Sequence, residues 1–225
     1  MLKAGIVGAA GYAGAELVRI ILRHPEFELC VATSNSDEGT PLSSVYPAFT
    51  DVTNLTYSRH DNPELFNCDV VFLATPHTVA MKSAPGLLEA GVTVVDLSAD
   101  YRLRDRATYE QWYKVEHTSP ELLATATFGL PELNRQALAD AAARHAQGEA
   151  ILVACAGCYP TATSLAVAPV IELSQGIVVA DAISGVSGAG RSATARTHFV
   201  SANENFEAYG VTSHRHTPEI EQILG

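Results

Sequence analysis

Short apolar runs alternate with amphipathic stretches along most of this chain. The runs at Leu2–Val7 and at residues 29–33, 69–75, 93–97 and 151–154 predict β-strands. Most of them are continuously apolar, which is typical of strands that are buried on both faces of a sheet. Apolar residues at helical spacing predict α-helices at 13–23, 79–90, 132–147 and 160–173. Strands that alternate with helices in this way predict βαβ units and a parallel sheet.

The last third of the chain has a different pattern, and Gly148 marks the change. A β-branched run at 177–182 predicts a further strand. Thr217, Pro218 and Glu219 resemble the N-cap, first-turn proline and first-turn acid of a helix. We therefore expect a domain boundary near residue 148. Because a helix begins so close to the last residue, we also expect the second domain to be incomplete.

A glycine-rich turn follows the first predicted strand. The stretch GAAGYAG places Gly8, Gly11 and Gly14 between this strand and the next helix, with Tyr12 and Ala13 opening the helix. This GxxGxxG spacing is one step away from the usual GxGxxG fingerprint, but its strand–turn–helix context is the required one. Backbone amides at such a helix N-terminus bind the pyrophosphate of a dinucleotide. The alternative is tight strand-to-helix packing without a ligand.

The end of the second predicted strand bears on the choice of cofactor. NAD-binding chains often carry an acid here that binds the ribose 2′-hydroxyl. Ser34, Asn35 and Ser36 instead offer neutral donors that could bind a 2′-phosphate, whereas a carboxylate would repel it. These residues favour NADP over NAD. Asp37 and the lack of a nearby arginine in the sequence argue in the other direction.

Composition excludes several functional classes. The formal net charge of -11 argues against a general nucleic-acid-binding role. No apolar run reaches the roughly 20 residues that a membrane-spanning helix needs, and the N-terminus lacks the features of a signal peptide. The four cysteines among 225 residues do not suggest a disulfide framework. We therefore expect a cytoplasmic protein with neither a nucleic-acid nor a membrane partner.

Two cysteines, Cys155 and Cys158, lie three residues apart after the strand at 151–154. They could form half of a structural zinc site with His214 and His216, a redox dithiol, or a strand cysteine beside one nucleophile. The local sequence favours the third interpretation, with no metal and with Cys158 as the nucleophile. Gly157 permits a sharp turn and a proline follows in the first helical turn, so Cys158 lies at a helix N-terminus. The partial positive charge there favours a thiolate.

Further candidate binding residues lie at or after the ends of the other predicted strands. Ligands bind in the crevice beyond the carboxyl ends of the strands in a parallel sheet. Ala74 and Pro76 lie at the end of the third strand and Ser98 follows the fourth, so we expect them to border the cofactor. Arg102 could bind an anion or pair with a neighbouring aspartate. Arg215 lies between two histidines and could pair with a carboxylate or phosphate of the substrate.

Six segments occur in order along the chain: GAAGYAG, DLSADYR, GLPE, GCYPTAT, SGVSGAGR and HRHTPEI. Together they resemble the N-acetyl-gamma-glutamyl-phosphate reductases (N-acetyl-glutamate semialdehyde dehydrogenases), enzymes of arginine biosynthesis. The related aspartate-semialdehyde dehydrogenases share the architecture but not this set of motifs. The sequence departs from the family at Cys155 and at Ala156, where members usually have proline. Neither departure touches the Gly-Cys-Tyr-Pro core, so we expect altered turn rigidity and unchanged chemistry.

The resemblance implies an α/β protein with two domains. Residues 1–148 would form a Rossmann-like, parallel-sheet NADP-binding domain. Residues 149–225 would form the N-terminal part of an α+β catalytic, substrate-binding and dimerisation domain of the glyceraldehyde-3-phosphate dehydrogenase type. Members of the family continue beyond the end of this chain, and they form homodimers or homotetramers.

The resemblance also implies a reaction and roles for residues. NADPH would reduce N-acetyl-L-glutamyl 5-phosphate to N-acetyl-L-glutamate 5-semialdehyde through a thioester on Cys158, with release of inorganic phosphate. His214 or His216 would be the acid/base. The segment SGVSGAGR would lie near cofactor and substrate, with Ser187 and Gly188 on the cofactor. The predicted substrate-binding residues are Arg102, Ser187, Arg191 and Arg215.

Two alternatives remain open from the sequence. The first is an aspartate-semialdehyde dehydrogenase-like reductase that acts on another acyl phosphate. The second is a non-catalytic dinucleotide-binding module with a Cys/His zinc site.

Overall fold

Six strands form one parallel sheet. The computed structural model describes residues 1–225. The strands are β1 (Leu2–Val7), β2 (Phe27–Thr33), β3 (Val70–Leu73), β4 (Thr93–Asp96), β5 (Thr127–Gly129) and β6 (Leu152–Cys155). Their order is β2-β1-β3-β4-β6-β5, and every neighbouring pair is parallel. The predicted α/β fold with a parallel sheet is confirmed.

The strand order reverses at β1, which lies between β2 and β3. The chain runs from β1 to β2 on one side and then crosses to β3 on the other. Open α/β sheets bind ligands beyond the carboxyl ends of their strands at such a point. The residues that follow β1, β2 and β3 therefore share one edge of the sheet.

Eight α-helices and five 3₁₀ segments lie between the strands and after the last of them. The α-helices are α1 (Tyr12–Ile21), α2 (Leu42–Val45), α3 (Ala80–Glu89), α4 (Arg106–Tyr113), α5 (Pro131–His145), α6 (Cys158–Val167), α7 (Phe199–Ala202) and α8 (Thr217–Leu224). The 3₁₀ segments are Pro47–Phe49, Pro63–Asn67, Pro120–Ala124, Ala168–Leu173 and Val186–Ala189. The helix predicted at 160–173 thus ends as an α-helix at Val167. Pro169 has no N–H for the next α-helical hydrogen bond, and the chain continues in 3₁₀ form.

Apolar side chains cover both faces of the sheet. On one face, Leu73 and Val94 belong to the same buried cluster as Met81 and Leu87 of α3. On the other face, Ile6 clusters with residues of α1. Burial of each such side chain contributes roughly 1.5–3 kcal/mol. Packing on both faces explains why the strands are continuously apolar in sequence.

Two predictions about strands differ from the structure. The pattern missed β5 because three residues are too few to show a period. The strand predicted at 177–182 is wrong: the segment forms no strand, and Ile177 is 95% exposed. A strand needs a partner for its backbone hydrogen bonds, and no strand of this chain pairs with that segment.

The second half of the chain joins the first through the sheet. Strand β6 follows residue 148 yet pairs with both β4 and β5. A domain boundary at 148/149 remains a proposal, and the sheet extends beyond it to Cys155. Helices α6 and α8 pack against each other after the last strand. None of the helices combines the length and apolar character that crossing a membrane requires.

Candidate active site

The glycine-rich turn lies at the carboxyl end of β1, and two of its glycines are required by packing. Gly8 has a φ of +87°, and a Cβ there would lie 2.4 Å from the carbonyl oxygen of Ala74. A Cβ on Gly14 would lie 2.2 Å from the carbonyl oxygen of Gly8. At Gly11, the N-cap of α1, a Cβ would meet only the Gly8 oxygen at an ordinary 3.5 Å. Packing therefore explains Gly8 and Gly14 but not Gly11.

The turn presents the start of α1 to the crevice. The first N–H groups of a helix have no partners within the helix, so those of Tyr12, Ala13 and Gly14 are available to an anion. A cavity of about 600 Å³ opens beside Tyr12 and Ala13 and is bordered by Ser187 and Gly188. The backbone donors and the absence of a side chain at Gly11 fit the pyrophosphate of a dinucleotide.

The residues after β2 surround a carboxylate. The hydroxyls of Ser34 and Ser36 each donate to Oδ2 of Asp37 at 2.7 Å. These bonds hold the pKa of Asp37 below its usual value. Asn35 accepts a hydrogen bond from the His60 N–H at 2.9 Å, so its side-chain oxygen stabilises the local loop. The hydroxyls of Ser34 and Ser36, which are predicted to face a 2′-phosphate, therefore lie beside Asp37, whose negative charge would repel that phosphate.

The two cysteines of the CxxC stretch differ in environment. Cys155 ends β6, is half-buried, and burial raises its pKa to about 11. Cys158 is exposed and is the first residue of α6, which follows the N-cap Gly157. A Cβ on Gly157 would lie 2.7 Å from Nη1 of Arg102 and 2.8 Å from Nε2 of His216. A side chain at Gly157 would therefore displace the ends of two side chains that approach the turn.

The predicted catalytic residues border one cavity of about 380 Å³, which we call the cysteine cavity. Cys158, His214 and His216 all border it, as do Tyr159 and Tyr209. Burial, followed by the nearby charge of Arg102, lowers the pKa of His216 to about 4. Burial also lowers the pKa of His214. Both imidazoles are therefore neutral at pH 7 and able to accept a proton.

Contacts of the histidines fix their rings. The Nδ1 of His214 accepts the N–H of His216 at 3.1 Å, and its ring centre lies 5.1 Å from that of Tyr159. The Nδ1 of His216 is buried and has no hydrogen-bond partner. His214 and His216 thus flank the same cavity, and the choice of acid/base between them remains a proposal.

Arg215 borders the cysteine cavity as a cation without a carboxylate partner. Its Nη1 lies 3.3 Å from Nε2 of His77, and its guanidinium carbon lies 5.4 Å from the centre of the Tyr113 ring. The guanidinium is exposed to the cavity and keeps further donors free. This position is compatible with binding an anionic group of a substrate.

A buried ion pair between Glu219 and Arg102 supports the turn at Gly157 and Cys158, which we call the cysteine turn. Glu219 of α8 is 1% exposed, and its Oε1 accepts the Gly157 N–H at 2.9 Å. Its Oε2 lies 3.5 Å from Nη1 of Arg102. Arg102 also donates to the carbonyl oxygens of Cys155 at 2.7 Å and Leu97 at 2.8 Å. Helix α8 is thereby tied to the residue that precedes Cys158.

No group of three or more histidine, cysteine, aspartate or glutamate side chains is placed to hold a metal ion. The zinc alternative therefore has no ligand set in this arrangement.

Comparison with known proteins now identifies the family. Residues 3–141 match the model "Semialdehyde dehydrogenase, NAD binding domain", and residues 158–225 match "Semialdehyde dehydrogenase, dimerisation domain". The chain belongs to the semialdehyde dehydrogenase family. The first of these matches covers the glycine turn, and the second begins at Cys158.

Relatives of this chain carry a more specific name. The N-acetyl-gamma-glutamyl-phosphate reductase of Halorhodospira halophila (strain DSM 244 / SL1) is 50% identical over 227 residues, which cover 100% of this chain and 63% of that protein. The reductase of Desulforudis audaxviator (strain MP104C) is 50% identical over 229 residues, covering 100% of this chain and 64% of that protein. The chain thus spans a little under two thirds of the length of these curated relatives.

Solved structures support the fold. An aspartate semialdehyde dehydrogenase II of Vibrio cholerae, complexed with ASA, has a TM-score of 0.58 at 17% identity and covers 85% of this chain and 48% of its own. An aspartate semialdehyde dehydrogenase of Candida albicans, with NADP, has a TM-score of 0.56 at 19% identity and covers 77% of this chain and 47% of its own.

Three of the predicted site residues have different surroundings from those expected. Ser98 is buried; its hydroxyl donates to Asp96 at 2.9 Å and accepts the Asp100 N–H at 3.1 Å, so it stabilises a turn instead of facing a cofactor. Arg102 is also buried and donates to Leu97, Cys155 and Glu219 of the chain itself, and it borders a second cavity together with Cys158. Arg191 lies beside the glycine turn and Asp37, away from the cysteine cavity.

The remaining cofactor residues lie along the sheet edge. The Ala74 N–H donates to the Val7 carbonyl at 2.8 Å, and Pro76 is exposed after β3. Gly188 borders both the cysteine cavity and the cavity beside α1. Sequence reasoning missed the role of Glu219, which the pattern Thr-Pro-Glu identified only as a first-turn acid. An acid in a motif that also holds two histidines was the available sequence signal.

Proposed function

We propose that this protein reduces N-acetyl-L-glutamyl 5-phosphate to N-acetyl-L-glutamate 5-semialdehyde in arginine biosynthesis, with NADPH as reductant and release of phosphate. The observation that carries the proposal is the shared cavity of Cys158, His214, His216 and Arg215. A second cavity joins Cys158 to Ala13, at the start of the helix that follows the glycine turn. Relatives at 50% identity that bear the name of this reductase support the substrate.

Cys158 is the nucleophile of the proposed reaction. A neutral imidazole accepts the thiol proton, and the thiolate attacks the C5 carbonyl carbon of the acyl phosphate. The C–O bond to phosphate breaks, phosphate leaves, and a thioester on Cys158 remains. The exposed position at the start of α6 gives the sulfur access to the substrate.

The cofactor would be held by Gly11, Tyr12 and Ala13 at the pyrophosphate and by Ser34 and Ser36 near the adenosine. Bound NADPH supplies the hydride that reduces the thioester. The imidazolium formed in the first step then returns its proton to the sulfur as the C–S bond breaks. This step regenerates the thiol and releases the semialdehyde.

Arg215 would bind the anionic part of the substrate. Its guanidinium borders the cavity and is not neutralised by an acid, so it can form charge-assisted hydrogen bonds with a carboxylate or phosphate. Ser187 lies on the loop between the two cavities and remains a further candidate for cofactor or substrate binding. Arg102 supports the cysteine turn.

The match to a dimerisation domain supports an oligomer, and we propose a homodimer or homotetramer. We also place the protein in the cytoplasm, where its four free cysteines would stay reduced.

The test is phosphate-dependent reduction of NADP by the purified protein with N-acetyl-L-glutamate 5-semialdehyde. We expect Cys158→Ser to abolish the reaction and Cys155→Ser to retain most of it, because the buried thiol of Cys155 takes no part. Equal activity of Cys158→Ser and the unchanged protein would refute the mechanism. Faster turnover of aspartate semialdehyde would refute the substrate.

A further inference from the structure

Arg191 lies at the nucleotide end of the molecule. Its Nη1 is 3.2 Å from the carbonyl oxygen of Ala10 and 3.6 Å from Oδ2 of Asp37. Its guanidinium carbon lies 6.0 Å from the centre of the Tyr46 ring. Arg191 thereby bridges the glycine turn and the end of β2. It does so from the segment that matches the dimerisation domain, well outside the match to the NAD-binding domain.

Asp37 creates an electrostatic problem for an NADP site. A carboxylate after the second strand suits the ribose 2′-hydroxyl of NAD, and it repels the 2′-phosphate of NADP. The hydroxyls of Ser34 and Ser36 both donate to Asp37, which favours its charged form. A site with this acid needs a cation beside it before a phosphate can bind there with net attraction.

Arg191 is the cation that meets this requirement. It is the basic side chain within ion-pair distance of Asp37. The other arginine near the end of β2, Arg59, is already shared between Glu38 at 3.8 Å and Asp61 at 3.2 Å. Arg191 is 43% exposed and uses only Nη1 for its contacts, so Nη2 and Nε remain available for phosphate oxygens.

We propose that Arg191 binds the 2′-phosphate of NADP and determines the preference of this protein for NADP over NAD. The guanidinium offsets Asp37 and donates to the phosphate, while Ser34 and Ser36 turn their hydroxyls from Asp37 to the same phosphate. This proposal rests on the proposed function only in its choice of NADP. It makes the nucleotide site depend on a residue of the segment that matches the dimerisation domain.

The experiment is a calorimetric titration of the purified protein with NADP and, separately, with NAD. The variants are Arg191→Ala and Arg191→Met, of which the second keeps the aliphatic stem beside Tyr46. The matched control is Arg196→Ala, since Arg196 lies in the same segment, pairs with Glu207 at 3.3 Å and does not contact the glycine turn. Circular dichroism establishes that each variant is folded.

We expect both Arg191 variants to lose at least about tenfold in affinity for NADP, because a charge-assisted hydrogen bond is lost. Their affinity for NAD should be unchanged, and Arg196→Ala should bind both nucleotides as the unchanged protein does. An equal loss for both nucleotides would mean that Arg191 binds the pyrophosphate and would overturn the proposal. Unchanged affinity for NADP, or no binding of NADP by the unchanged protein, would also overturn it. The titration uses no acyl phosphate, so its outcome is independent of the reductase assay.

Discussion

At the scale of single residues, Arg102 connects the turn at Gly157 and Cys158 with the ring of His216. Its Nη1 lies 3.5 Å from Nε2 of His216 and 3.5 Å from Oε2 of Glu219. The positive charge of Arg102 contributes to the lowered pKa of His216, after burial. Glu219 offsets that charge and also accepts the Gly157 N–H. One buried carboxylate therefore influences both the backbone before Cys158 and the electrostatics around the imidazole.

Glu219→Gln tests this connection. Glutamine keeps an oxygen for the Gly157 N–H but leaves the buried guanidinium of Arg102 without its counter-charge. We expect the free energy of unfolding to fall by about 1–3 kcal/mol, the cost of an unmatched buried polar contact. Urea unfolding measures this change. We also expect a changed rate of Cys158 alkylation by iodoacetamide at pH 7, measured by mass spectrometry.

Glu221→Gln is the matched control, because Glu221 lies on the same helix and is exposed. It should change neither the free energy of unfolding nor the alkylation rate. If Glu219→Gln behaved like this control in both measurements, the ion pair would have no role in positioning the turn.

At the scale of elements, different glycines of the glycine-rich turn are needed for packing and for ligand binding. Gly8 and Gly14 lie against backbone atoms of the turn itself and of the end of β3. Gly11 has an extended backbone, with φ −73° and ψ 165°, which any residue can adopt. The strand–turn–helix element would therefore fold with a side chain at Gly11. The space in front of that residue is needed only when a pyrophosphate approaches the N-terminus of α1.

Gly14→Ala and Gly11→Ala should therefore fail in different ways. In Gly14→Ala the new Cβ meets backbone atoms at 2.2 and 2.6 Å, so we expect a loss of about 1–3 kcal/mol in unfolding free energy despite the better helix propensity of alanine. In Gly11→Ala we expect a change below about 1 kcal/mol but weaker binding of NADP. Thermal unfolding and nucleotide titration measure the two effects. Full NADP affinity in a folded Gly11→Ala protein would contradict the assignment.

Periodicity predicted the elements that bury continuous apolar runs. It failed for segments whose conformation depends on contacts with residues far away in sequence. The strands of the central sheet could be predicted because burial on both faces leaves a local signature. The run at 177–182 has the same β-branched composition, but its conformation depends on a partner strand that composition does not reveal. Arg191 and Glu219 are similar cases at the site. Their roles depend on contacts with Asp37 and Gly157, which lie far away in sequence.

At the scale of the whole molecule, exposed apolar side chains are concentrated between residues 170 and 211. They are Val170, Leu173, Ile177, Val178, Val179, Ile183, Val186, Phe199, Val200, Phe206, Tyr209 and Val211. Soluble monomers rarely expose so many apolar side chains in one segment. The segment lies within the match to a dimerisation domain. Because the chain spans 63% of the length of the Halorhodospira halophila relative, either the rest of such a domain or a second copy of the chain would cover this surface, and we expect a second copy to contact at least part of it.

The double substitution Ile177→Asp with Val179→Asp tests that expectation. These side chains are 95% and 87% exposed, so the change removes apolar surface without disturbing the sheet. Burial of an isoleucine or valine contributes roughly 1.5–3 kcal/mol, so the dissociation constant of the oligomer should rise at least about tenfold. Sedimentation velocity over a range of protein concentrations measures this change. NADP titration should be unaffected, because both residues lie outside the cavity beside α1.

The control for this experiment is Leu133→Asp on α5, which is 39% exposed and lies outside the dimerisation-domain match. Aspartate there adds one of the two charges of the double variant to a different face, so association should not change. If Leu133→Asp weakened association as much as the double variant, net charge would be the cause, because each added carboxylate increases repulsion between molecules that already carry -11. If neither variant changed it, the oligomer would form through another face, and the exposed run at 177–182 would not be its interface.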